Sequence, residues 1–156
     1  MYDGTNTAAP TLAIAAAGLV GTETVSASGT ATFNSKDVAT ANLVTVTADT
    51  LANGLNGGLA SNYSLATGQT VAASITPKAL TATVTAPGKV YDGTTAAAST
   101  LVISNGLVGT ETVNATGNAT FNSKDVATAN LVTVSTDTLA NGLNGGLASN
   151  YTLAAG

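Results

Sequence analysis

Two Tyr-Asp-Gly triplets, Tyr2-Asp3-Gly4 and Tyr91-Asp92-Gly93, are the most site-like residues in a chain that offers little else for chemistry. A carboxylate next to glycine can ligate a cation, or it can accept from nearby backbone N–H groups in a turn whose glycine takes positive φ. The turn is the preferred reading. Calcium needs several clustered oxygens, and the acids of each unit, such as Asp92, Glu111, Asp125 and Asp137, lie far apart with no Asp-x-Asp or GGxGxD spacing. Lys36-Asp37 and Lys124-Asp125 read as solvated turns. The sharper alternative is an isopeptide bond, in which a desolvated lysine attacks an Asn side chain assisted by Glu23 or Glu111. The spacing does not bring those three groups together. Asn62, Asn114, Asn118 and Asn150 head Asn-x-Ser/Thr sequons, read as chance matches in a chain rich in Asn and Thr, with glycan decoration as the alternative.

Histidine, cysteine and arginine are all absent, and no nucleophile–base pair is legible. No enzyme activity, catalytic residue, metal ligand or cofactor is expected. A net charge of −4 with 8% charged residues argues against nucleic acid and anionic membrane as partners, since both require basic clusters. The longest apolar run, residues 12–20, is about half a membrane span and is diluted by Ala and Gly. The N-terminus lacks a basic region followed by an apolar stretch, so no signal peptide is read there.

The elements that must position these residues come as a repeat. Residues 18–68 and 106–156 are nearly the same 51 residues, with seven small or polar differences. The repeat implies two small units, 1–76 and 77–156, in a tandem array. Tyr2 matches Tyr91 at an offset of 89, whereas Gly18 matches Gly106 at 88, so one extra residue lies near Ala15 to Ala17 in a loop or bulge.

Runs such as Leu80-Thr81-Ala82-Thr83-Val84-Thr85 and Leu43-Val44-Thr45-Val46-Thr47 alternate with period two, which predicts half-buried antiparallel strands with threonine facing water. Asn-Gly and Gly-Gly steps between them supply positive-φ turns. The fold class expected is all-β: two small antiparallel sandwiches, immunoglobulin-like or β-grasp-like. Each unit carries three aromatic residues, Tyr2, Phe33 and Tyr63 in the first and Tyr91, Phe121 and Tyr151 in the second, all expected as core anchors.

Residues 69–90 occur once. Pro77 divides them into candidate strands 70–76 and 79–86, the first closing unit one and the second opening unit two. On this reading unit one lacks its opening strand and unit two its closing strand, which exposes edges at both ends.

The order ITPKALTATVTAPGKVYDGTTAA, GLVGTETV, FNSKDVAT, LVTV and NYTL, together with TVAASITPK, resembles the YDG-type repeat of the mostly-β, glycine-rich group. The resemblance covers essentially the whole chain. It implies an extracellular module of large secreted bacterial adhesins of the filamentous-haemagglutinin type, without enzymatic activity. The chain departs from the family pattern in having Ala39 and Ala127 where glycine is expected, and a less acidic segment before its Asn-Tyr motif.

The function expected is a structural stalk that extends a distal binding region from the bacterial cell surface. An adhesive module recognising host glycan or another adhesin copy is the alternative, and an exposed aromatic would be its sign. The expected partners are neighbouring repeats, with head-to-tail self-association through exposed edge strands.

Overall fold

Thr/Val runs cut by Asn/Gly turns can satisfy their backbone polar groups only between strands. The computed structural model describes residues 1–154; Ala155 and Gly156, the last two residues of the second unit as delimited above, lie outside the described residues. Among the described residues there are strands and single 3-10 turns, with no α-helix. A β-grasp, which clasps a helix, is therefore not the fold adopted.

Contacts divide the chain between Ile75 and Thr76, and Met1–Gly4 group with the residues from Thr76 onward. The N-terminal unit, Thr5–Ile75, holds β1 (Thr7–Ala8), β2 (Val25–Phe33), β3 (Leu43–Asn53) and β4 (Thr70–Ala72). They form one antiparallel sheet in the order β1-β2-β3-β4. Ala31, Val44 and Val46 are its buried cluster, with Leu12, Phe33 and Ala73 packed against them. On the other face Ser28 meets Thr50 at 2.8 Å and Thr30 meets Thr47 at 3.1 Å, hydroxyl to hydroxyl. The alternation of apolar and hydroxylated residues is thus realised face by face.

The C-terminal unit contains β5 (Lys78–Thr85), β6 (Ala96–Ala97), β7 (Thr100–Asn105), β8 (Val113–Phe121), β9 (Val132–Asn141) and β10 (Tyr151–Leu153). One sheet runs β6-β8-β9 and is antiparallel. The second runs β10-β5-β7, with β5 antiparallel to β7 and parallel to β10. The antiparallel expectation therefore holds except at β10. The two sheets of this unit are compatible with a β-sandwich. Leu80 of β5 is 1% exposed, and Val113, Ala119 and Tyr151 of the same unit are also buried.

The two copies differ where β5 matters. Residues 11–15 match β7 and residues 63–65 match β10, yet neither stretch is a strand. In the C-terminal unit both partners bond to β5, and the N-terminal unit has no such strand among the described residues. A strand needs a neighbour for its N–H and C=O groups, so near-identical sequence takes another conformation without one. The extra residue of the first copy falls at a 3-10 turn, Ala16–Gly18.

Candidate functional site

The loop before β2 and its copy before β8 set up the most organised side-chain cluster. In the C-terminal copy, Thr112 donates its N–H to Leu143 O at 3.1 Å, and its hydroxyl accepts from Leu143 N at 2.7 Å. Asn144, at φ 56, donates its side-chain amide to Thr110 O at 2.8 Å. The glycine beyond it allows a close approach: a Cβ on Gly146 would lie 1.9 Å from Thr112 O. The Thr110–Thr112 segment is thereby clamped, and Glu111 between them is aimed inward.

Tyr151 reaches Glu111 from the other side. Asn141 Oδ1 accepts from Ala148 N at 2.8 Å and shapes the 3-10 turn Ala148–Asn150 that leads into β10. The Tyr151 hydroxyl donates to Glu111 Oε2 at 2.7 Å and accepts from Val108 N at 3.1 Å. The remaining Glu111 oxygen, Oε1, accepts from the hydroxyl of Tyr2 at 2.6 Å. The Tyr2 ring is 1% exposed and meets Tyr151 edge-on, with centroids 5.4 Å apart and planes at 81°. One carboxylate thus ties two buried tyrosines through charge-assisted hydrogen bonds. Burial, followed by the hydrogen bond to Glu111, pushes the Tyr151 hydroxyl up to about 12 from its ordinary 10.

Tyr2 is held at the backbone too. Its N–H donates to Thr76 O at 2.8 Å, next to Pro77, and a Cβ on Gly4 would lie 2.8 Å from Val108 Cγ1. The expectation that Tyr2 anchors its own unit is corrected on this evidence. Tyr2 is a core residue, as expected, but of the C-terminal unit, because its hydroxyl acceptor Glu111, its ring neighbour Tyr151 and the Thr76 carbonyl lie there.

The N-terminal unit builds the same seat. Thr24 N–H donates to Leu55 O at 3.1 Å, Asn56 reaches Thr22 O at 2.8 Å, and Tyr63 donates to Glu23 Oε2 at 2.6 Å while accepting from Val20 N at 3.2 Å. Its hydrogen bond to Glu23 raises the Tyr63 hydroxyl above its ordinary value. Glu23 Oε1 accepts no hydrogen bond from the described residues. Val20 is 69% exposed, and Tyr63 is half-buried where Tyr151 is buried. Beside this seat Ile14, Val25, Leu51, Tyr63 and Leu65 line an apolar cavity of about 220 Å³.

Tyr91, the counterpart of Tyr2, is 57% exposed rather than a core anchor. Its turn is nevertheless fixed. Lys89 Nζ donates to Asp92 Oδ1, Thr94 O and Thr94 Oγ1, each at 2.9 Å, and lies 5.9 Å from the Phe121 ring centroid. Asp92 also accepts from Thr94 N at 2.9 Å, and Gly93 takes φ 79 while Gly4 takes φ 83. The Asp-Gly turn reading describes both the carboxylate and the glycine. The Lys89 bond, helped by the Thr94 N–H and hydroxyl, lowers the Asp92 carboxyl to about 2.

Phe33 and Phe121 are half-buried at the ends of β2 and β8, with their N–H groups bonded to Asn6 O at 2.7 Å and Thr95 O at 2.8 Å. Lys36 pairs with Asp37 at 2.7 Å and Lys124 with Asp125 at 2.6 Å. The glutamates that would assist an isopeptide bond are engaged by tyrosine hydroxyls instead. Asn150 of the last sequon is fully buried, which denies it to a glycan in the folded state. No group of three or more acidic residues placed to hold a metal occurs among the described residues, and no described helix is long and apolar enough to cross a membrane.

Glu23 and Glu111 were legible only as isopeptide helpers. Their recurrence within GLVGTETV, in a chain with eight acids, is the signal that marks them.

Paired all-β units of near-identical sequence, each with a tyrosine–glutamate seat, define a tandem-repeat β protein. The sequence matches the YDG domain family over residues 1–71 and again over residues 76–156, and the chain belongs to that family. No curated protein and no solved structure matches it.

Proposed function

We propose that this chain is a structural stalk segment of an extracellular bacterial surface adhesin, with neighbouring repeats as its partners. One observation carries the reading: Tyr2, from the Tyr-Asp-Gly triplet that opens the first repeat, completes the core of the C-terminal unit. Repeats that each finish the core of another are suited to act as an array rather than alone. An eight-residue strand spans roughly 26 Å, so length grows with repeat number. Small-angle scattering on chains of two, four and eight repeats tests this. A radius of gyration that rises in proportion to repeat number is expected, and growth like a flexible coil overturns the stalk.

A second reading, an adhesive module, is favoured by the exposure of Tyr91 on a fixed turn. An amphipathic ring held in this way suits recognition. Titration of host glycans against the chain, followed by NMR at the Tyr91 ring, tests it. Unmoved Tyr91 resonances at glycan saturation sink the glycan form of this reading.

A further inference from the structure

We propose that Tyr91 of one copy of this chain docks on the Glu23–Tyr63 seat of a second copy and joins the two head to tail; this rests on the array reading above. The C-terminal unit supplies the template. There a Tyr-Asp-Gly triplet enters the seat, its hydroxyl on Glu111 Oε1 at 2.6 Å, its ring edge-on to Tyr151 and its glycine against Val108.

Each feature of that template recurs unfilled in the N-terminal unit. Glu23 uses Oε2 for Tyr63 at 2.6 Å, as Glu111 uses Oε2 for Tyr151 at 2.7 Å. Its Oε1 accepts nothing from the described residues. Val20, the counterpart of Val108, is 69% exposed. The Asn56-Gly57-Gly58 loop that aims the carboxylate repeats the Asn144-Gly145-Gly146 loop bond for bond, with Asn56 on Thr22 O and Asn144 on Thr110 O, both at 2.8 Å.

The complementary part is also present once and unused. Tyr91 is 57% exposed and Val90 is 89% exposed, and the Tyr91 hydroxyl makes no hydrogen bond with the described residues. Lys89, Asp92 and Thr94 already hold the turn that seats a tyrosine elsewhere in the same molecule, so little ordering remains to oppose docking. Because hook and seat are different surfaces, the contact is heterologous and propagates as an open chain of copies. It differs from pairing of sheet edges, since it depends on one hydroxyl and one carboxylate.

Sedimentation of the full chain at rising concentration, up to about 1 mM, reads the association. The wild-type protein is expected to form a ladder of species. Tyr91→Ala, at an exposed position, and Glu23→Gln are each expected to weaken self-association about tenfold or more, the scale of a lost charge-assisted hydrogen bond. An equimolar mixture of the two variants is expected to restore association but stop at the dimer, since only one intact hook–seat pair can form between them. A strict monomer across the range overturns the proposal, as does a ladder unchanged by Tyr91→Ala. Either result leaves the stalk reading standing, because that is judged on covalently joined repeats.

Discussion

At the residue scale, the same side chain has opposite worth in its two copies. Tyr2 gives Glu111 Oε1 its donor inside a core, so Tyr2→Phe should cost the C-terminal unit about 1–3 kcal/mol. Tyr91→Phe should leave the stability of the isolated chain unchanged, because that ring faces water. Denaturant unfolding of dilute protein, followed by NMR signals from each unit, checks both, and equal losses would refute the assignment of Tyr2. The tyrosine pair also sets an alkaline limit. Folded Tyr151 keeps its proton up to about 12, against 10 for the ordinary phenol, so the native state binds more protons between those values. Its contribution of about 2–3 kcal/mol is complete below pH 10 and is lost as the pH rises toward 12. Stability of the C-terminal unit should therefore fall across that window, and Tyr151→Phe should flatten the fall.

At the element scale, loops and strands obey different constraints. The Asn-Gly-Gly loop must lie against the backbone of the glutamate segment, where a Cβ on Gly146 would come within 1.9 Å of Thr112 O. Gly146→Ala should destabilise the C-terminal unit by about 1–3 kcal/mol or more, whereas Gly88→Ala, with nothing within 4 Å, should be neutral. Thermal melts of the two variants decide this. The strand β5 shows the reverse case, in which a neighbour creates structure. A chain with residues 76–90 duplicated ahead of Tyr2 should turn residues 11–15 and 63–65 into strands. Hydrogen exchange of those amides should then slow to the level of Leu101 to Ile103 and Tyr151 to Leu153; unaltered exchange would mean that sequence differences, not the missing partner, set their conformation.

At the scale of the whole molecule, repetition governs what can be read. The Thr/Val alternation of residues 43–47 and 80–85 foretold β3 and β5, although β3 runs longer than its alternating stretch. Those signals are local, and local hydrogen-bonding geometry enforces them. The parallel pairing of β10 with β5 was not legible, since Tyr151-Thr152-Leu153 is too short to carry a pattern and its partner lies far away in sequence. The same holds for the Glu111 site, where Tyr2 is 109 residues from its acceptor.

Sequence alone determined the all-β class, the two copies and the Asp-Gly turns, because each follows from residue type and short spacing. Tertiary structure alone decided which tyrosine each glutamate binds. Two identical triplets carry identical local information; in the fold Glu111 takes the hydroxyl of Tyr2, and Tyr91 is left in water.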